Sequence, residues 1–152
     1  MIHYIIDGNN LIGKIKTVKD LQNKNKQASR ESLVSILTRY FAGKKVKLTL
    51  HFDGYPNGTI PFIKGRIVYS EKHNSDYMIK EEIDHSKNPK LLTIVSSDHG
   101  LINYARANSC AVMKSEALKN EIFKALEKNE EAEKVRQLEN EKDIFIKLFS
   151  KS

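Results

Sequence analysis

The 152-residue chain holds a single cysteine, Cys110, so no disulfide can form within it. Its apolar runs fall well short of the roughly 20 residues that a membrane-crossing helix needs, and its N-terminus lacks a basic stretch followed by an apolar one. Both absences point to residence in the cytoplasm and to no membrane partner. Familiar signatures are missing too. There is no Walker A lysine loop, no GxGxxG turn and no GxSxG elbow, which argues against P-loop, Rossmann and α/β-hydrolase chemistry. No paired histidine or cysteine spacing marks a zinc site, and Cys110 reads as a buried strand residue and not as a nucleophile.

What is present is a globular balance, 39% hydrophobic and 30% charged, suited at this length to one domain with a sizeable core. The formal net charge of +7 is unevenly spread. Residues 1–76 carry 13 Lys/Arg against 6 Asp/Glu, whereas residues 77–152 carry 13 of each. A basic half of this kind suits a polyanionic partner.

Periodicity predicts alternating strands and helices. Strands are expected at His3–Ile6, Lys47–Phe52, Arg66–Ser70, Leu91–Val95 and Cys110–Met113, with helices over Ser29–Ala42, Asp76–His85 and His99–Ala107 and from Ser115 onward. Ser75 is a candidate N-cap and Gly43 a candidate C-cap. Asp7 to Asn10 reads as a turn, and the lysine-rich Thr17–Gln27 as a flexible loop. The order implies an α/β fold with a mainly parallel sheet. Residues 1–118 form the expected core. Residues 119–152 form a charged helical extension, solvated over Glu127–Asp143 and docking on the same domain through Ile144, Phe145, Ile146, Leu148 and Phe149.

Three strands run into an aspartate: Tyr4-Ile5-Ile6 into Asp7, Leu48 to Phe52 into Asp53, and Leu92 to Ser97 into Asp98. Asp76 follows a fourth strand after a short turn. Parallel strands would gather these acids at one sheet edge, where α/β folds bind ligands. Their mutual repulsion calls for a hard cation, Mg²⁺ or Mn²⁺. Asp7, Asp76 and Asp98 are the leading metal ligands and catalytic candidates, with Asp53 as an auxiliary. Three of them also have a plainer reading: Asp53 as a turn residue, Asp76 as a first-turn acid, Asp98 as a helix cap. Asn10 and Ser97 are candidate ligand contacts. Lys14, Lys16, Arg30, Lys64 and Arg66 are candidate phosphate contacts, and Tyr55 and Phe62 are candidate base-stacking residues. Glu31, Glu81 and Glu82 read as solvated helix charges.

Tyr4-Ile5-Ile6-Asp7-Gly8-Asn9-Asn10, Ala28 to Leu33, His51-Phe52-Asp53-Gly54, Ser75 to Ile79 and Ile94 to Asp98 together resemble PIN-like NYN-domain ribonucleases, in particular the bacterial YacP-like group. Tyr104 to Met113 and Ser115 to Leu118 continue the likeness. Where similar sequences usually have glycine before the late strand, this chain has Asn108-Ser109. The resemblance implies a three-layer α/β/α sandwich, a divalent-metal site with Asp7, Asp76 and Asp98 as its acidic core, and endoribonuclease activity. The expected partner is RNA, whether messenger RNA on the ribosome or a structured RNA. A catalytically inactive RNA- or ribosome-binding adaptor of the same fold is the alternative, and a small phosphohydrolase a third.

Overall fold

The computed structural model describes the backbone of residues 1–150 and the side chains of residues 1–140. Five strands, β1 (Ile2–Asp7), β2 (Val46–Phe52), β3 (Gly65–Tyr69), β4 (Leu92–Val95) and β5 (Ala111–Met113), form one sheet in the order β3-β2-β1-β4-β5. Every pairing is parallel, and Asp7 lies opposite His51 while Ile6 lies opposite Val95. The expected α/β class and parallel sheet are therefore present. β1 sits at the centre. The chain builds outward through β2 and β3 on one side, then returns to add β4 and β5 on the other, so the switch in strand order lies between β1 and β4.

Helices cover both faces. Side chains alternate along β1, so Tyr4 meets Phe41 of α3 (Lys26–Phe41) with ring centroids 5.1 Å apart. Ile5 packs on the opposite face, in a core with Ile79 and Ile83 of α4 (Ser75–Asp84) and Leu101 and Ala105 of α5 (His99–Ala107).

Two segments differ from the sequence expectation. The Asp7–Asn10 turn is the start of a short helix, α1 (Gly8–Ile12), and the supposed loop contains α2 (Lys16–Lys24). Leu11, Ile12, Ile15 and Val18 are all buried. Their spacing is helical, but the pattern begins before Thr17, so a window opened at Thr17 sees only its polar remainder. Asn25 ends α2 and caps α3, its side chain accepting from the Ala28 N–H at 3.1 Å. The cap of α4 is Asn74 and not Ser75. Ser109 has φ of +66°, so the Asn108-Ser109 turn takes up the left-handed conformation for which a glycine would serve.

By internal contacts the chain divides into a first unit, Met1–Lys119, and a second, Asn120–Ser152. The last helix, α6 (Ser115–Ser150), begins in the first unit. In the second unit Val135 and Leu138 are exposed, as a solvated helix requires. The apolar group from Ile144 to Phe149 lies outside the described side chains. Among the described residues no helix is long and apolar enough to cross a membrane.

Candidate active site

Gly8 lets β1 and β2 converge beside Asp7. A β-carbon on Gly8 would stand 2.5 Å from the His51 carbonyl oxygen and 2.8 Å from the Phe52 ring. Asp7 then ends β1 and precedes α1 in the N-cap position, where the Asn10 N–H lies near its carboxylate without closing a full capping bond. One carboxylate oxygen instead accepts from the Ser96 hydroxyl at 3.0 Å, and that hydroxyl accepts from the Asp98 N–H at 3.1 Å. Ser96 follows β4, so Asp7 and Asp98 are joined through one buried serine across the switch point, the place where open α/β sheets take ligands.

Burial raises the Asp7 pKa to about 6. The Ser96 hydroxyl opposes that shift, the Asp53 carboxylate adds to it by repulsion, and the Asn10 backbone N–H and the His51 ring oppose it more weakly. Asp53 is exposed at the end of β2. Its backbone N–H donates to Asn9 Oδ1 at 2.8 Å, and one carboxylate oxygen accepts from the Ser75 N–H at 2.8 Å. That bond fixes the start of α4 and hence Asp76.

Asp76 and Asp98 reach the same edge with other partners. Asp76 pairs with Lys80 one turn along α4, at 3.1 Å. Asp98 caps α5, one oxygen accepting from the Leu101 N–H at 2.8 Å. Asp76 thus stands in the first turn of α4 and Asp98 caps α5, as their plainer readings have it. Among the described residues, no three histidine, cysteine, aspartate or glutamate side chains form a group able to hold a metal ion. The sheet brings the four acids to one edge, with Asp7 and Asp53 interacting directly through their charges. The donors are all carboxylate oxygens, which suits a hard cation. Mg²⁺ in particular is often held by one or two carboxylates, with waters and substrate phosphates filling the rest of its shell. The residues fit such a cation as an open, two-carboxylate site.

Several expected substrate contacts have internal roles. Asn10 Oδ1 accepts from the Ser97 N–H at 3.0 Å and from the Ser115 hydroxyl at 2.7 Å. The Ser97 hydroxyl donates to Glu116 at 2.8 Å and accepts from the Ser115 N–H at 3.1 Å, while Lys14 pairs with Glu116 at 2.9 Å. Asn10, Ser97 and Lys14 therefore join α1, the end of β4 and the start of α6. Lys16 is exposed at the start of α2.

Arg30 is a clear correction. It is buried, donates to the Asp53 and Tyr55 carbonyls at 2.7 and 2.9 Å, and lies over the Phe52 and Tyr69 rings. A guanidinium pinned on two carbonyls shapes the Asp53 loop and cannot also grip RNA. Lys64 and Arg66 are corrected for position, since they stand at the amino end of β3, away from the acids. Lys64 bonds the Lys44 carbonyl, and Arg66 lies 3.4 Å from Glu82.

Glu82 is not a solvated charge. It is largely buried and meets His51 at 3.0 Å and His3 at 3.7 Å. Hydrogen bonding to His51 and the charges of His51, Arg66 and His3 together hold its pKa below the usual value despite burial. A cavity of about 400 Å³ adjoins this cluster, with His3, Arg66 and Glu82 in its wall, but none of the four aspartates lines it. Sequence reasoning missed Ser96, Asn9, Glu116 and Glu82 as bonded groups. Only the Ser96-Ser97 pair after a strand carried a local signal.

A family model for the YacP-like NYN domain matches residues 4–151. Two crystal structures of Rae1 (YacP) from Bacillus subtilis share the fold. One, of a single-substitution variant, has TM-score 0.73 and 18% identity, covering 93% of this chain and 86% of that one. The other has TM-score 0.70 and 17% identity, covering 99% and 89%. No curated protein matches the chain.

Proposed function

The chain belongs to the YacP-like NYN domain family, and from that premise we propose that it is a divalent-metal-dependent endoribonuclease acting through the carboxyl edge of its sheet. NYN domains are generally ribonucleases, with RNA as the substrate. The observation that carries the proposal is Asp7: a half-buried carboxylate at the switch point, held by the Ser96 hydroxyl. Desolvation raises the Asp7 pKa to about 6, with a smaller contribution from the Asp53 carboxylate. An acid whose pKa is raised in this way, at the sheet edge where α/β folds take ligands, is a functional candidate.

Asp7 and Asp53 would hold Mg²⁺ or Mn²⁺, with Asp76 and Asp98 as further acids at the rim. When bound, the cation supplies neutralisation of the phosphate charge and a water activated for attack on phosphorus. Ser96 keeps the Asp7 carboxylate oriented and places it beside Asp98. Arg30 holds the Asp53 loop through two carbonyls, and the Asn10–Ser97–Ser115–Glu116 network holds the first turn of α1 against the end of β4. Hydrolysis adds water across one internal phosphodiester bond, leaving a phosphate on one fragment and a hydroxyl on the other.

Purified protein should cut RNA internally with Mg²⁺ or Mn²⁺ and stop in EDTA. Asp98→Asn should abolish cleavage without unfolding the protein, because asparagine is as good a cap for α5 as aspartate. Undiminished cleavage by this variant with metal present contradicts the assignment. The lack of a preformed three-ligand group among the described residues favours one rival, an inactive RNA- or ribosome-binding adaptor. RNA binding that persists in EDTA, with no cleavage in Mn²⁺, would select that rival.

A further inference from the structure

Beside Asp76 two rings lie face to face. His73 and Tyr77 stack with centroids 4.3 Å apart and planes 18° from parallel. The pair is at the surface: His73 is exposed and Tyr77 is 46% exposed. Tyr77 therefore contributes little to the core, although its backbone is firmly set. Its N–H donates to the Asn74 cap at 2.8 Å, and the His73 N–H donates to the Ser70 carbonyl at 3.0 Å. Between them, the Ser75 N–H donates to the Asp53 carboxylate at 2.8 Å. The turn that carries both rings is thus tied to one acid of the edge and contains another, Asp76.

A flat, preorganised, exposed ring pair beside phosphate-cleaving acids has the properties of a stacking platform. Every nucleobase offers a π-face, so such a platform binds bases with little regard to sequence. It cannot bind a base inside a duplex, whose faces are already covered by its neighbours. Lys72, exposed on the same turn, supplies a cation for the adjoining phosphate. The exposed Tyr55, two residues after Asp53, offers a second ring on the neighbouring loop. We propose that the His73–Tyr77 stack is the nucleobase-binding platform of this enzyme and restricts it to RNA that is unpaired at the cut. The inference rests on the ribonuclease reading and adds the form of RNA that the site accepts.

The test is fluorescence anisotropy of a labelled single-stranded oligoribonucleotide in EDTA, so that binding is read without cleavage. The full chain is compared with Tyr77→Ala, Tyr77→Leu and Tyr77→Trp, and each is also measured on a duplex of the same sequence. Loss of one base stack should weaken single-strand binding by roughly 5- to 100-fold in the alanine variant. The leucine variant, which keeps bulk but not flatness, should weaken it as well, and tryptophan should preserve it. Duplex binding should be weaker and indifferent to all three. Single-strand binding within twofold of wild type in both Tyr77→Ala and Tyr77→Leu overturns the platform, as does an equal loss on the duplex. If the unsubstituted protein still cuts RNA in Mn²⁺, that outcome removes the platform alone. If it neither binds nor cuts RNA, the ribonuclease reading falls with it.

Discussion

Asp7 and Glu116 belong to the same edge of the same unit, and their surroundings push them in opposite directions. Glu116 receives the Lys14 ammonium and the Ser97 hydroxyl, which hold its pKa down at about 2. Asp7 is half-buried and largely desolvated, has the single Ser96 hydroxyl as its side-chain donor and faces the Asp53 carboxylate, and its pKa rises to about 6. Glu116 is an acid whose partners are all supplied by the fold. Asp7 is an acid left short of one positive partner at the position where α/β sheets take ligands. Comparing the two separates a carboxylate satisfied by the fold from the one on which the proposed function rests, more sharply than either position in the sequence does.

The largest effect should come from Asp7→Asn. Cleavage should fall to background while the fold gains stability at neutral pH. The folded-state pKa of about 6 exceeds the ordinary 3.8, so the native state binds the proton more tightly than the unfolded chain. Wild-type stability therefore falls as pH rises from about 4 to 6, by up to about 3 kcal/mol. Denaturant unfolding across that range should show this slope in the wild type and its loss in the variant.

Next in size is Gly8→Ala, which drives a methyl into the His51 carbonyl and the Phe52 ring. It should cost about 1–3 kcal/mol in the same assay and disturb the Asp7–Asp53 approach. A variant as stable as wild type would show that the strands have room to give. Asp98→Ala should lose about 1 kcal/mol with the α5 cap, a loss that Asp98→Asn avoids; thermal melts of the pair beside their cleavage rates separate the capping role of Asp98 from the catalytic one proposed for it. The smallest effect belongs to Glu116→Gln, on an exposed group. It should lower stability slightly above pH 4.5 and not below about 2, since a depressed carboxyl contributes only while ionised. It should leave the metal requirement unchanged. If Glu116→Gln abolished cleavage and Asp7→Asn did not, the comparison would be reversed.

The strands and the edge position of the acids were legible because both follow from local pattern. A buried parallel strand reads as a short apolar run, and Asp7, Asp53 and Asp98 stand at or just past the ends of three such runs. α5 was equally legible, with Asp98 before it and helical spacing within. α2 was not, because its apolar stripe starts in α1 and crosses a break at Gly13 to Ile15. The charged residues were least legible. Arg30 reads as a phosphate contact from its charge, and only the tertiary fold carries its guanidinium to the Asp53 carbonyl 23 positions away. Arg66 looked like a phosphate contact from charge alone, but the direction of β3 places it at the wrong end of the sheet. Glu82 finds its partners on β1 and β2, at separations no periodicity reports.

The most direct test is the thermal midpoint of wild type and Asp7→Asn, each with and without Mg²⁺ or Mn²⁺, at pH 7.5 and pH 5. A cation that completes the Asp7 site should raise the wild-type midpoint at pH 7.5, raise it much less at pH 5 where Asp7 is largely protonated, and leave Asp7→Asn unmoved. Equal shifts in both proteins, or no shift in the wild type, would contradict the assignment of Asp7 as the seat of the metal.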